Sequence, residues 1–340
     1  MSEIEIRVLD AADDADMDGF QEVYAAAELA EDPDAALYSR EDGIAILGAT
    51  DGGVRTTAWG AFLGERMIGE LMVGLPQLDN LDSGRVWIWV DPAHQRHGVG
   101  ARLAEVAHRH VADAGRHVCQ ANGRIGTDRD NGNLRFARSL GYDLANTEIE
   151  RRLPLPADPR LLDRLEAEAA DHHRGYTLRT VVGPVPDDLA ASYLALKNRL
   201  AVEAPMGELD VEVGQDTVAE LQAQDRNLVA AGRARVAAYA LDDAGAVVAY
   251  SVGATTNQGY HHVDQWGTLV DPAHRGHRLG LAVKCAMLRA LSESFSDKRY
   301  IETTNAETNR HMVAINEALG FEVSQVWGHF QARLADSAGH

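Results

Sequence analysis

Two stretches decide how this chain folds: VDPAHQRHGVG at residues 90–100 and VDPAHRGHRLG at residues 270–280. Both open with the same five residues and continue as a short basic turn containing glycine. Each then becomes helical in pattern. Apolar residues recur at Val99, Leu103, Ala107 and Val111 after the first copy, and at Leu279, Val283, Met287 and Leu291 after the second. That spacing marks one buried helix face. Further on, NLRFARSLGY (133–142) matches MVAINEALGF (312–321) after a one-residue change of offset. A period this long far exceeds the few tens of residues of a solenoid repeat, so the chain reads as two duplicated domains.

Length and composition agree. A chain of 340 residues, 45% of them hydrophobic, can supply two cores. No run of about 18 apolar residues is present, and the start, MSEIEIRVLDAADDADMD, is acidic where a secretion signal would be basic and then apolar. A soluble cytoplasmic protein with no membrane partner is expected. The two cysteines, Cys119 and Cys285, fall one in each half and read as packing residues. With 52 acidic and 32 basic residues the net charge is −20, which disfavours nucleic acid and favours cationic ligands.

The order of elements repeats as well. Each half reads as a strand, helices, two alternating strands, a third strand ending at VDPAH, a helix, a strand, a helix and a terminal strand pair. The expected fold is α+β: two tandem domains, each a mixed, mainly antiparallel sheet flanked by helices. The expected boundaries are 1–155 for the first domain, 156–174 for a proline-led, charged linker, and 175–340 for the second.

A basic, glycine-bearing turn between a strand and a helix suits an anion, because the first-turn amides and the helix dipole both point at it. Neither copy is a P-loop or a dinucleotide fingerprint. What they resemble is the acyl-CoA pyrophosphate loop of the GNAT N-acetyltransferase superfamily, [QR]xxGx[GA] preceded by V-x-P-x-[HYF]. The late helix NRHMVAINEALGF (309–321) also resembles that family's, and the tandem layout is similar to that of mycothiol synthase.

The resemblance covers nearly the whole chain and implies an acetyl-CoA co-substrate. Its pyrophosphate would lie on Gln95, Arg96, His97, Gly98, Val99 and Gly100 in the first half. In the second it would lie on Arg275, Gly276, His277, Arg278, Leu279 and Gly280. Strand backbone at Val90, and at Leu269 and Val270, would pair with the pantetheine arm, with Asn305 and Asn309 completing the cofactor site. The first half has Asp130 where the family asparagine belongs.

Acetylating an amine requires removal of a proton, since a free alkyl ammonium has a pKa of about 10.4. The resemblance places a carboxylate six residues before the V of V-x-P, which is Asp264 in the second half and Gly84 in the first. Alternation sets Asp264 on the face of Trp266, Thr268 and Val270. Asp264 is therefore the candidate base, with His262 behind it, and the second half is the candidate catalyst. The family's general-acid tyrosine is replaced by Asn316 and Ala137. Glu302 reads as a paired surface residue. The HxxH pairs His94/His97 and His274/His277 lie in loops without further ligands, so no metal is expected.

The implied function is acetyl transfer to the amine of a small cationic molecule by direct attack. The alternatives are a non-catalytic acyl-CoA-binding or sensing protein and a protein N-acetyltransferase. The expected state is a monomer with a pseudo-dimeric domain pair, or a homodimer.

Overall fold

The computed structural model describes residues 4–35, 37–48, 53–127, 130–256 and 261–334. In chain order the first elements are β1 (Ile4–Val8), α1 (Asp14–Glu31), α2 (Arg40–Gly48), β2 (Val54–Leu63), β3 (Arg66–Pro76), β4 (Ser83–Val90), α3 (Val99–Asp113), β5 (Val118–Arg124), α4 (Gly132–Ser139) and β6 (Asp143–Pro154). Then come α5 (Pro159–Ala170), β7 (Thr177–Val182), α6 (Asp187–Lys197), α7 (Leu200–Glu203), α8 (Val218–Ala230), β8 (Arg233–Leu241) and β9 (Val247–Thr256). The chain continues through β10 (His262–Val270), α9 (Leu279–Ser294), β11 (Tyr300–Ala306), α10 (Arg310–Ala318) and β12 (Glu322–Arg333).

Two compact units result, and they are not the two halves of the sequence. Unit 1 contains residues 1–146, 208–210 and 327–340, and unit 2 contains 147–207 and 211–326. Unit 1 orders its strands β1-β2-β3-β4-β5-β12, and unit 2 orders them β6-β11-β10-β9-β8-β7. Each half ends in one long strand rather than a strand pair. The C-terminal Trp327–Arg333 pairs antiparallel with β5, while Glu148–Pro154 of β6 pairs antiparallel with β11. The last strand of each sheet thus comes from the other half of the sequence.

In each unit one pair of neighbouring strands is parallel, β4 with β5 and β10 with β11; the other pairs, β1·β2, β2·β3, β3·β4 and β5·β12 in unit 1 and their counterparts in unit 2, are antiparallel. A parallel connection needs a crossover, which the helix after VDPAH supplies. In unit 1 that helix, α3, buries Val99, Leu103, Ala107 and Val111, and Met17, Phe20 and Val23 of α1 join a second cluster with Ala58, Phe62 and Met67. Unit 2 repeats the sandwich. Val283, Met287 and Leu291 of α9 pack with Val263 and Ile301, while Tyr193 of α6 packs edge-on against Tyr239 and Tyr250 in a separate cluster.

The 156–174 stretch is not a spacer. Asp158 caps α5 by accepting from the Arg160 amide, and Leu162, Leu165 and Ala169 of that helix are buried in the cluster that includes α9. Its charged residues lie on the outer side, where Glu166 and Asp163 hold Arg289. The leucine spacing makes α5 part of a core. No helix among the described residues is long and apolar enough to cross a membrane.

The strand exchange has a testable consequence. A fragment 1–155 lacks Trp327–Arg333 and leaves the β5 edge bare, while a fragment 175–340 lacks both β6 and the α5 cover. Neither fragment alone is expected to unfold cooperatively when melted by circular dichroism, whereas the full chain is. Cooperative melting of either fragment would contradict the exchange.

Candidate active site

The site of unit 2 begins where two strands separate. β10 and β11 pair in parallel at only three positions, His262 with Tyr300, Val263 with Ile301 and Asp264 with Glu302. Both strands continue, β10 to Val270 and β11 to Ala306, without further pairing to each other. On the far side β10 remains bonded to β9, and β11 to β6. The edges facing the gap therefore carry backbone N–H and C=O groups, those of Val270 included, that can pair with an extended amide-bearing ligand, whereas Leu269 is paired with Tyr250 of β9.

A bulge aims the side chains along this gap. Against β9 the register skips Trp266, since Gln265 opposes Gly253 and Gly267 opposes Val252. One extra residue reverses the alternation. Gln265 and Thr268 both bond Ser251, which touches Met287 of α9, and Val270 packs on the same helix side. Asp264 lies on the opposite face, so the expectation that it shares a face with Thr268 and Val270 is corrected. Gly267 suits the crowded turn, because a Cβ there would stand 3.0 Å from Leu200 Cδ2.

Beyond Val270, Asp271 accepts from the Ala273 amide, and the chain turns through Gly276 at φ 88° and Arg278 at φ 52° into α9. No side chain caps that helix, whereas α1, α4, α5, α8 and α10 are all capped by Asp13, Asn131, Asp158, Thr217 and Asn309. Its first amides stay available to an anion. Arg275 reaches Glu203 at 2.8 Å and Arg278 reaches Glu168 at 3.4 Å, both from half-exposed positions. His277 Nδ1 lies 3.1 Å from the His172 carbonyl, and His274 Nδ1 lies 3.0 Å from the Tyr176 hydroxyl. These residues fit the pyrophosphate of an acyl-CoA, and the open strand edges fit its amide-bearing arm. Asn309 accepts from the Met312 amide through its side-chain oxygen and so caps the start of α10.

At the throat of the gap the carboxyl groups do not behave as the sequence suggests. Asp264 is held by Arg233 at 2.6 Å and lies 3.4 Å from His262 Nε2. Burial pushes its carboxyl up, but His262 and Arg233 outweigh this and leave it below the ordinary range. A carboxylate so stabilised is a weaker base than an ordinary aspartate. Glu302, directly across the last paired register, is the more basic group. It is mostly buried and contacts Arg152 at 3.2 Å. Burial, then Glu150 and Asp264, push its carboxyl up to about 8, against Arg152. Sequence pattern missed it because a glutamate on a strand is usually solvated, and its burial depends on β6, which comes from the other half of the sequence.

On the opposite face of the gap, three polar side chains form a chain. Lys284 of α9 is fully buried and bonds Asn316 Oδ1, and Asn316 Nδ2 donates to Asn305 Oδ1 at 2.6 Å. Burial pulls the Lys284 amine down to about 7.

Unit 1 has the same frame with different contents. β4 and β5 pair from Ser83 with Val118 to Val86 with Ala121 and then separate. The turn places Arg96 at φ 64° and Gly98 at φ 83°, ahead of an α3 without a side-chain cap, and His97 Nδ1 lies 2.7 Å from the Gln95 carbonyl. Gln95 donates to the Val90 carbonyl at 3.2 Å, occupying an edge group of the gap. No bulge interrupts β4. A Cβ on Gly84 would stand 2.4 Å from Val111 Cγ2, so this position faces α3, and by strand pairing the counterpart of Asp264 is Arg85. The counterpart of Glu302 is Gln120, which donates to the Asp210 carbonyl and to Gln331. The helix cap of α4 is Asn131 rather than Asp130, because α4 is one residue shorter than α10.

No protein-family model and no curated protein matches the chain. Solved structures do. A tandem GNAT protein from the clavulanic acid biosynthesis pathway, solved without acetyl-CoA, is 27% identical over 98% of this chain and 100% of its own, with a TM-score of 0.80. A GCN5-related N-acetyltransferase from Sphaerobacter thermophilus is 16% identical over 97% of this chain and 95% of its own, with a TM-score of 0.67. A glucosamine N-acetyltransferase region of a fungal multidomain β-N-acetylglucosaminidase is 13% identical over 97% of this chain and 38% of its own, with a TM-score of 0.68.

The buried amine gives a stability prediction. Between about pH 7 and the ordinary lysine value of about 10.4, the unfolded chain holds a proton that the folded chain lacks. Folded-state stability from this group therefore rises with pH across that window. Lys284→Met removes that dependence and leaves Asn316 Oδ1 without its donor, a pH-independent cost of about 1–3 kcal/mol. The melting temperature of the variant minus that of the wild type is expected to be highest near pH 6 and to fall steadily towards pH 10. A difference that is flat with pH would sink the assignment. The two splayed strand pairs, each leading through a VDPAH turn into an uncapped helix, account for the structural likeness, and the chain is similar in fold and tandem layout to GNAT N-acetyltransferases.

Proposed function

We propose that unit 2 is an acetyl-CoA-dependent N-acetyltransferase that acts on the amine of a small cationic molecule. The observation that carries this reading is the position of Glu302, a buried carboxyl of raised pKa at the throat of a gap whose far end leads into an anion-binding turn. Acetyl-CoA, when bound, supplies an activated thioester: a C–N bond forms as the C–S bond breaks, its electron pair leaving with sulfur. The ammonium's two surplus protons go one to a protein base and one to that sulfur.

The chain's own residues divide the remaining work. Arg275, Arg278 and the first amides of α9 would hold the pyrophosphate, and the open edge of β10 at Val270 would align the arm. Glu302 accepts the first proton, since a base of pKa near the working pH combines ionised population with proton affinity. Asp264, locked to Arg233 and His262, stays ionised beside it and holds Glu302 basic. The throat acids Asp264, Glu302 and Glu150, together with the net charge of −20, favour a cationic acceptor. Unit 1 has Arg85 and Gln120 in the corresponding places and no base there, so it binds or scaffolds without turnover.

Two measurements test this. Arg275→Glu/Arg278→Glu should weaken acetyl-CoA binding at least about tenfold by calorimetry, from loss of charged hydrogen bonds of about 1.5–3 kcal/mol each. Arg96→Glu/His97→Glu in unit 1 should leave that site intact. With a panel of amines, Glu302→Gln should lower kcat about 100-fold and abolish a limb of the pH profile in which activity rises through about pH 8. The sign follows from the base: only ionised Glu302 accepts a proton, so activity increases with pH. Tight acetyl-CoA binding without turnover of any amine would favour a binding or sensing protein instead.

A further inference from the structure

We infer that Lys284, Asn316 and Asn305 form a polarised hydrogen-bond chain that stabilises the sulfur anion released in acetyl transfer, with Lys284 acting as a positioning residue through the two carboxamides. This rests on the acetyl-transfer reading above and adds the part that Glu302 does not supply, a counter-charge on the leaving-group side.

Placement carries the argument. Asn305 lies three residues beyond the last β10·β11 pair, where the β11 edge is open, and its side chain is partly exposed there. It faces α9 and α10, since Ile301 at the same parity packs into the α9 cluster. Asn316 is the buried residue of α10, and it passes one bond back to Lys284 and one forward to Asn305. Lys284 is six residues beyond Arg278, roughly 9 Å along the helix from the anion-binding turn. The chain therefore runs along the inner wall between that turn and the throat.

A lysine is an expensive way to fill a core. Its ammonium is buried beside the Phe321 ring, with its nitrogen 4.9 Å from the ring centre, and among the described residues no carboxylate pairs with it. The titratable neighbour is Cys285 on the same helix, whose thiol burial pushes up to about 12, so that it stays neutral. Packing alone does not require this arrangement, because unit 1 builds the same frame with Ala104, Ala137 and Gly123 in the three corresponding places. All three members of the chain occur in the unit that also has the throat carboxyls, and none occurs in the other.

The physical role follows. The protonated form of an amine held near its threshold of charge stabilises an anion that forms within reach, and polarised amides carry that charge forward. Lys284 Nζ–H donates to Asn316 Oδ1, Asn316 Nδ2–H donates to Asn305 Oδ1, and Asn305 Nδ2–H is left to donate into the gap. No bond to the lysine is made or broken, and the sulfur takes its proton as stated above.

The chain contains only three lysines, Lys197, Lys284 and Lys298, so carbon-13-labelled lysine gives three side-chain signals to follow by NMR. The test compares wild-type protein saturated with CoA or with desulfo-CoA, binding of each being verified by calorimetry. The expected result is that CoA raises the titration midpoint of Lys284 by about one pH unit or more over desulfo-CoA. Ultraviolet absorbance should show the bound thiol ionising correspondingly lower than in Lys284→Met. Asn305→Ala should remove the difference between ligands while leaving the ligand-free midpoint of Lys284 unchanged. Equal Lys284 midpoints with both ligands bound would overturn the inference and leave the acetyl-transfer reading standing. Failure of CoA to bind unit 2 would remove that reading, and this one with it.

Discussion

Everything in unit 2 is organised by the point at which β10 and β11 stop pairing. Backbone polar groups that leave a ladder must find other partners. Here the two strands remain bonded on their outer edges, so the gap between them is held open by the rest of the sheet. That fixed opening determines what each nearby residue does. The last paired register sets Asp264 against Glu302 at the throat, the bulge at Trp266 assigns side chains to faces, and the end of β10 delivers the chain into the α9 turn. A single irregularity in sheet pairing thus positions the glycine-bearing turn, two carboxyl groups and a buried amine relative to one another.

The duplication is informative because the frame is conserved between units while the contents are not. Both units splay the same strand pair and leave the following helix uncapped. Unit 2 then adds a bulge, two throat carboxyls and three polar residues on the helix side. Unit 1 fills the same places with Arg85, Gln120, Ala104, Ala137 and Gly123, and ties Gln120 to Asp210 and Gln331. Buried charge has a cost in either unit, and unit 1 bears it too, at Glu70, whose carboxyl is pushed well up by burial. What distinguishes the units is therefore the content of these matched positions rather than the turn motif, which both share.

Much of this was legible in the sequence. The repeated VDPAH turns, the helical pattern after them and the alternating strands gave the fold class, the duplicated frame and the place of the two turns ahead of α3 and α9, because those features depend on local spacing. What was not legible depends on distant partners. The exchange of β6 and β12 leaves no local signal, so the 155/175 boundary and the linker missed α5 and the true strand composition of each unit. The Trp266 bulge shifts a count along the strand by one, which made Gly84 rather than Arg85 the counterpart of Asp264. Glu302 looked like an ordinary strand glutamate because Glu150 and Arg152, its neighbours in space, lie about 150 residues away in sequence.

The charges around the gap have a common logic. On one face, carboxyls of contrasting basicity sit side by side, Asp264 locked ionised by Arg233 and His262 and Glu302 raised partly because Asp264 is ionised. On the other face, an amine is buried with no counter-ion among the described residues. Two such groups pressed together would form an ion pair and lose their responsiveness, but the sheet keeps them on opposite faces. A reaction that takes a proton from a cation on one side and releases an anion on the other changes charge in the sense each face is built to meet: the acid face gains a proton and the amine face gains a negative partner. Preorganised charge of this kind stabilises a reaction only where charge develops, and unit 1, with Arg85, Gln120 and Ala104 in the matched places, presents a different set of groups there.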